Sequence, residues 1–205
     1  MSETLAITNL SQLASLYPKP GERAIRKELP ALDRHGRDFI ALSPFVVLST
    51  SDAAYGLDAS PRGGDPGFVK VTEEGQLLLP DWPGNHRLDS LKNILETGRV
   101  GLLFLIPGFD ETLRVNGRAT LSVDGRDLQR CANERRTPKL VIRVEVTAAY
   151  LHCAKAFLRS RLWSEAARVA RSRLPTMGAM INEQTGLSAP PESQEAMERR
   201  YAADL

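Results

Sequence analysis

The chain has 205 residues, 42% hydrophobic and 25% charged, a balance that fits one ordinary globular domain with or without helical additions. Its 27 basic against 25 acidic residues leave a net charge of +2, which argues against a strongly basic nucleic-acid binder and makes a small anionic ligand the better-matched partner. Cys131 and Cys153 form neither a disulfide framework nor a CxxC pair, the start MSETLAITNLSQLASLYP lacks the pattern of a secretion signal, and the run VGLLFLIPG falls short of the roughly 20 apolar residues a membrane span needs. A cytoplasmic location without membrane attachment is the expectation.

The first 40 residues read as short helices broken by Pro18, Pro20, Gly21 and Pro30, with Leu10, Leu13 and Leu16 at three-residue spacing. From Pro44 to Leu151 the texture turns to β: FVVLSTS, YGLDAS, FVKVT, QLLLP, VGLLFLI, TLRVNGRATLSV and KLVIRVEVTAAYL are the predicted strands. A helix, HRLDSLKNILET, lies between the fourth and fifth, with Asn85 as N-cap, Gly98 beyond its end, and Leu88, Leu91, Ile94 and Leu95 as its buried stripe. GRDLQRCANERR is a second helix capped by Asp124. CAKAFLRSRLW, SEAARVARSR and PTMGAMINEQ follow as helices, the last closed by Gly186, and APPESQEAMERRYAADL reads as a loosely held polar tail.

Short strands joined by hairpin-like connections, one helix midway and helices at both ends predict a mainly β fold, an antiparallel β-barrel decorated with helices. Its parts are a helical N-terminal arm over residues 1–40, a β core over 41–151, and C-terminal helices and tail over 152–205 of the same domain.

Four stretches could carry chemistry. SPRGG places Arg62 beside Gly63 and Gly64 between two apolar runs, where the guanidinium either stands in solvent or meets an anion. LLLPDWPGNHRLDSLKNIL puts His86 and Arg87 at the start of a helix, which suits a phosphate; the competing reading pairs Arg87 with Asp81 or Asp89. In ETLRVNGRATL, alternation sends Leu113, Val115, Gly117, Ala119 and Leu121 to one face and Thr112, Arg114, Asn116, Arg118 and Thr120 to the other; Gly117 marks a bulge or a close approach. YLHCAKAFLRSRLW aligns Lys155 and Arg159 on one side with Trp163 near, a holder for a planar anion or a plain solvated face. His152 and Cys153 lack further ligands at workable spacing, so no metal site is expected. GxGxxG, GxxxxGK[ST], HExxH and GxSxG are all missing, which removes the usual signatures of Rossmann binding, P-loop chemistry, zincin proteolysis and serine hydrolysis.

Taken in order, SPRGGDPGFVKV, LLLPDWPGNHRLDSLKNILETGRVGLLFLIPG, ETLRVNGRATL and HCAKAFLRSRLW resemble the FMN-binding split β-barrel proteins related to pyridoxamine 5′-phosphate oxidase, over roughly residues 20 to 185. The resemblance implies a homodimer with an FMN site at the interface, lined by both chains. It sets Asn85, His86 and Arg87 where the family grips the FMN phosphate with Ser-Arg-Lys, and Thr112 where a glutamine commonly contacts the flavin ring. It brings Arg62 and Gly63 to the phosphate or the polar edge of the ring, and leaves Lys155 and Trp163 between a contribution to the partner's flavin site and a structural role in the dimer. The implied activity is that of an FMN-dependent oxidoreductase acting on a small organic substrate, with no catalytic residue named. A non-catalytic flavin or haem module is the alternative, and a deazaflavin can replace FMN in some relatives. Arg173-Leu174-Pro175 echoes the oxidase's own Arg-Leu-x-Pro segment but lies in a predicted helical region, so vitamin B6 oxidation is not the first choice. Arg159, Arg161, Arg168, Arg171 and Arg173 make nucleic-acid binding the least favoured reading, because Glu165 interrupts them and no aromatic residues interleave.

Overall fold

In the run FVVLSTS every second side chain is buried: Val46, Leu48 and Thr50 lie inside while Phe45 and Ser49 stay exposed. The structure, a computed structural model, describes residues 6–186, 188, 190–202 and 204. This run forms β1 (Phe45–Ser51), followed by β2 (Leu57–Gly63), β3 (Lys70–Val71), β4 (Leu77–Pro80), β5 (Arg99–Leu105), β6 (Thr112–Ser122) and β7 (Val141–His152). Each predicted strand has its counterpart, but β2 begins and ends later than YGLDAS, so Arg62 and Gly63 lie in strand rather than in a turn. The order β2-β1-β5-β6-β7-β4-β3, antiparallel throughout, leaves β2 and β3 as edges. This is the split antiparallel β-barrel expected from the sequence.

The inner face gathers Val46, Leu48, Leu102, Phe104, Leu113, Val115, Ile142 and Val144 into one core. Two helices close it: α3 (Arg34–Leu42) through Phe39 and Ile40, and α4 (Asp89–Thr97) through Leu91 and Ile94. The unbroken run LLLP of β4 is buried at every position, as a strand covered on both faces requires. Leu77 and Leu79 join the main core, while Leu78 packs with Cys131 and Val141 beneath α5 (Gly125–Cys131).

Gly117 satisfies both sequence readings at once. The β6–β7 register shifts between Asn116 and Gly117, where Asn116 faces Ala148, Gly117 faces Val146, and Thr147 is the extra residue. A Cβ at Gly117 would run into the Glu145 carbonyl oxygen and stand 2.7 Å from Val144 Cγ1.

The N-terminal arm contains α1 (Leu10–Leu16) and α2 (Glu22–Arg26), neither with a buried residue. It joins the sheet at a two-way bridge, Leu29 N–H to Ala149 O (3.0 Å) and Ala149 N–H to Leu29 O (2.8 Å). The chain divides into two compact units: one runs to Asp81 and resumes over Leu88–Ala154, and the other combines Trp82–Arg87 with the chain from Lys155 on.

Helix boundaries depart from the sequence at several points. Helix α4 begins at Asp89, not near Asn85, because Leu88 sits in the left-handed region (φ 61°) and ends any regular helix on its N-terminal side. Its buried stripe is accordingly Ser90, Leu91 and Ile94, with Leu88 and Leu95 exposed. Beyond β7, α6 covers Lys155–Ser160 only: Arg161 (φ 51°) turns the chain and Leu162 N–H bonds back to Phe157 O. SEAARVARSR forms two short 3-10 turns, Glu165–Ala167 and Arg171–Arg173, since no apolar face is buried there to hold a longer helix. Conversely, the tail expected to be loose contains α8 (Gln194–Ala202), started by Ser193 Oγ accepting from Ala196 N–H and tied by the Arg200–Glu192 ion pair at 2.7 Å. The helix α7 (Met177–Thr185) starts at Thr176, whose side chain accepts from Ala179 N–H, and ends at the predicted Gly186. Among the described residues no helix is long and apolar enough to cross a membrane.

Candidate functional site

Strand β2 inverts the usual rule of apolar residues inside. Its register with β1 pairs Thr50 with Asp58, Leu48 with Ser60 and Val46 with Arg62, so a charged and polar row, Asp58-Ser60-Arg62, sits beside the core-facing row of β1. The outward row is Leu57, Ala59, Pro61 and Gly63, all exposed. A one-residue slip would restore ordinary patterning, and the chain does not take it.

The inward row is held from two sides. Ser90, in the first turn of α4 and almost fully buried, donates to Asp58 Oδ2 at 2.5 Å, and Ser60 donates to the same carboxylate at 3.0 Å. One turn on, Asn93 Nδ2 donates to Thr50 Oγ1 (3.0 Å), and Thr97 Oγ1 to the Ser51 carbonyl (2.9 Å). Helix α4 thus packs on β1 and β2 through hydroxyls and amides as well as through Leu91 and Ile94.

Arg62 is neither a loop arginine in solvent nor wholly spent. Its side chain is 21% exposed, and Nη1 donates to Asp81 Oδ1 at 2.6 Å. Its Nε is buried with no hydrogen-bond partner. A buried unsatisfied donor costs about 1–3 kcal/mol, so this nitrogen marks a place where an acceptor belongs. Gly63 has room beside it, a Cβ meeting only Pro44 O at 3.5 Å, whereas a Cβ on Gly64 would stand 2.8 Å from Phe68. Gly64 is therefore required by packing, while Gly63, on the outward row and facing away from the Arg62 side chain, is not. Thr112, the third predicted residue in this unit, is 3% exposed at the start of β6 and paired with His152, unlike the exposed Arg114, Asn116, Arg118 and Thr120.

The remaining predicted residues belong to the second unit. Asn85, His86 and Arg87 precede α4 instead of occupying its first turn, so the helix-start arrangement expected for His86 and Arg87 is replaced by a turn. Asn85 Oδ1 accepts from Arg87 N–H (3.1 Å), and His86 has φ 59°. Two of the four non-glycine residues with positive φ among the described residues, His86 and Leu88, lie within residues 86–88. Such left-handed positions in side-chain-bearing residues collect at ligand-binding loops. Lys155 opens α6, and Trp163 stacks on Phe157 with ring centroids 5.6 Å apart.

Sequence reasoning missed Asp58, Ser60 and Ser90, and offered Asp81 as a partner for Arg87 where the structure pairs it with Arg62. The signal for the first two lay in LDASPRG itself, whose polar residues fall at every second position in register with Arg62. Separately, a cleft of about 750 Å³ is lined by Thr72, Gln76, Asp127, Arg130 and Arg143 among others, and holds none of the predicted site residues. Its charges serve each other: Arg143 donates to both oxygens of buried Asp127, at 3.2 and 2.7 Å, and to Gln76 Oε1 at 2.9 Å.

Comparison with known proteins agrees with this architecture. The family model for pyridoxamine 5′-phosphate oxidase matches residues 32–153, more than half of the chain. Among solved structures, HupZ of Group A Streptococcus is similar at 14% identity, covering 58% of this chain and 93% of its own, with a TM-score of 0.48. General Stress Protein 26 of Bacillus anthracis is similar at 16% identity, covering 57% and 93%, with a TM-score of 0.42. HutZ, the haem storage protein of Vibrio cholerae, is similar at 11% identity, covering 57% and 90%, with a TM-score of 0.40. No curated protein matches the chain. With the split barrel and the family match together, the chain belongs to the pyridoxamine 5′-phosphate oxidase family.

Proposed function

We propose that this protein is a flavoprotein that binds FMN in a homodimer and works in the cytoplasm as an oxidoreductase on a small organic substrate. The observation that carries the reading is Arg62: a largely buried guanidinium, aimed by Asp81, with one donor left over on an edge strand whose inner row is polar. A phosphate or a flavin carbonyl is an acceptor of the right kind for the part of that guanidinium that stays exposed, and a guanidinium fork addresses either. The residues present fit the cofactor on this ground.

In this reading Arg62 and Gly63 meet the cofactor from β2, and Thr112 faces the ring only if the dimer opens it. Asn85, His86 and Arg87 are the residues the family resemblance offers to the phosphate, the turn at Asn85 fixing the backbone of Arg87, and Lys155 and Trp163 are the further residues it offers to the flavin. The bound flavin supplies the redox chemistry; the chain's own work is to bind, to orient and to limit access. The outward face of β2, β1 and β5 supports the dimer, because its rows Gly63-Phe45-Leu105, Pro61-Val47-Leu103 and Ala59-Ser49-Gly101 present mainly apolar atoms and no charge, Arg99 of β5 lying beyond them.

The test is the visible absorption spectrum of the purified protein with and without added FMN, for the natural chain, Arg87→Ala and Arg62→Lys. The natural chain is expected to bind FMN, and both variants to weaken binding at least about tenfold, equivalent to about 1.4 kcal/mol. Arg62→Lys keeps a charge for Asp81 but loses the fork. Failure of the natural chain to bind FMN would sink the reading and direct the same titration to a deazaflavin and haem. Bound flavin that no reduced pyridine nucleotide or organic acceptor turns over would favour a storage or sensing module.

A further inference from the structure

The arm before Leu29 carries an apolar stripe that its own chain leaves uncovered. On α1, Leu10, Leu13 and Leu16 share one side and are exposed by 83, 46 and 60%, and Tyr17, just past the helix end, is exposed by 68%. A helix of seven residues has no stability of its own in water and needs a surface to pack on. The side-chain hydrogen bonds of residues 8–15 stay within the segment: Thr8 donates to Gln12 Oε1, Gln12 N–H to Asn9 Oδ1, and Ser15 Oγ to the Gln12 carbonyl. Tyr17-Pro18-Lys19-Pro20-Gly21 then separates α1 from α2. Tyr17 is extended (φ −130°, ψ 141°), and two prolines in five residues make this connection a stiff spacer that holds α1 out.

The chemistry of the stripe selects its partner. Residues 6–17, AITNLSQLASLY, contain no charged residue. A helix made for a lipid surface carries Lys and Arg on its polar side, and one made for nucleic acid is basic, so neither is the occupant. The matching surface on this molecule is the outward face of β2, β1 and β5, also uncharged across its three central rows and bearing Leu57 at 86% exposure. Three adjacent strands span about 10 Å between the outer two, the width of one helix. A chain carrying both the stripe and the face can satisfy each of them twice in a closed two-fold pair.

We infer that α1 is exchanged between copies: the arm of one chain lays Leu10, Leu13, Leu16 and Tyr17 on the β2–β1–β5 face of a second. This rests on the homodimer proposed above and names one of its contacts. Two chains, Leu13→Cys and Ala59→Cys, each also carrying Cys153→Ser, are mixed, allowed to re-associate and oxidised, with a size tag on one. A disulfide between tagged and untagged chains is expected in good yield. Sedimentation equilibrium of the untagged natural chain and of Leu13→Glu/Leu16→Glu is read beside it, with the dimer dissociation constant expected to rise at least tenfold in the variant. Both leucines are exposed within the chain, so their replacement leaves the barrel unaltered, as far-ultraviolet circular dichroism and thermal melting would confirm. A natural dimer without the cross-chain disulfide, or with an unchanged constant in the glutamate variant, overturns the exchange and leaves the dimer standing. A natural chain that stays monomeric overturns both. A disulfide formed only inside a chain carrying Leu13→Cys and Ala59→Cys together shows the arm folding onto its own sheet, and also refutes exchange.

Discussion

Asp127 is buried on α5, yet it is held as a carboxylate. The hydrogen bonds from Arg143 lower its pKa most, burial pushes the other way, and Ser122 donating at 2.7 Å lowers it further. Because the folded group titrates below its unfolded value of about 3.9, its contribution to stability is complete above that pH and disappears as pH falls through the folded value. Urea midpoints measured from neutral pH downward should therefore drop less steeply below about pH 4 for Asp127→Asn than for the natural chain. At neutral pH the same variant should be less stable by about 1–3 kcal/mol, since Arg143 loses an ionic partner at a partly solvated site. Arg62 with Asp81 has the same form but a different ending: Arg143 uses its Nε on Asp127, whereas Nε of Arg62 is left over. Arg62 was legible in the sequence as a misplaced cation. Its partner was not, for Asp81 is 19 residues away, and Ser90 reaches Asp58 across 32, distances that only the fold closes. Cys131, buried against Leu78, is pushed up to about 11 by desolvation, so thiol reagents should label Cys153 and spare Cys131 while the protein is folded.

At the scale of elements, legibility followed burial. Strand β6 repeats apolar and polar residues with period two because one face is packed, whereas β1 and β5 bury every second residue yet are apolar at Phe45, Val47, Leu103 and Leu105 on the other face, and were legible as apolar β-rich runs instead. Segments without a packed face kept no such record: residues 164–173 carry good helix formers yet turn only briefly, and α8 forms where composition suggested a tail. The start of α4 was misplaced for another reason. Asn85 suits an N-cap, but its side chain closes a turn onto Arg87 instead, and left-handed Leu88 takes the position before the helix. Gly117 tests how firmly β6 and β7 are joined. Gly117→Ala puts a methyl group against the Glu145 carbonyl and Val144, both on the paired strand, so the ladder must open at its bulge. Thermal and urea denaturation should show a loss of about 1–3 kcal/mol, the usual result of forcing an extra carbon into close packing. Gly63→Ala, with a nearest contact of 3.5 Å to Pro44 O, should leave stability nearly unchanged and serves as the control.

For the whole molecule, composition and charge pointed to a small anionic partner, and the split barrel followed from strand count and spacing together with the family resemblance. The order β2-β1-β5-β6-β7-β4-β3 could not be read off, because pairing of β4 with β7 and β1 with β5 joins residues as distant in sequence as Leu77 and Val144 or Phe45 and Leu105. Function at this scale is a matter of linkage. A ligand that binds only the folded protein stabilises it in proportion to the logarithm of its saturation, by about 2.7 kcal/mol at one hundred times its dissociation constant. For a chain of this size each kcal/mol moves the melting temperature by about 2–4 °C, so saturating FMN should raise it by roughly 5–10 °C. If the cofactor is shared between two chains, it must also tighten their association by the factor by which association tightens cofactor binding. The FMN-induced shift should then grow with protein concentration through the dimer transition, and the dimer dissociation constant should fall when FMN is present. A shift of the same size at every protein concentration would place the cofactor on a single chain, with Arg62 as its anchor and no contribution from a second copy.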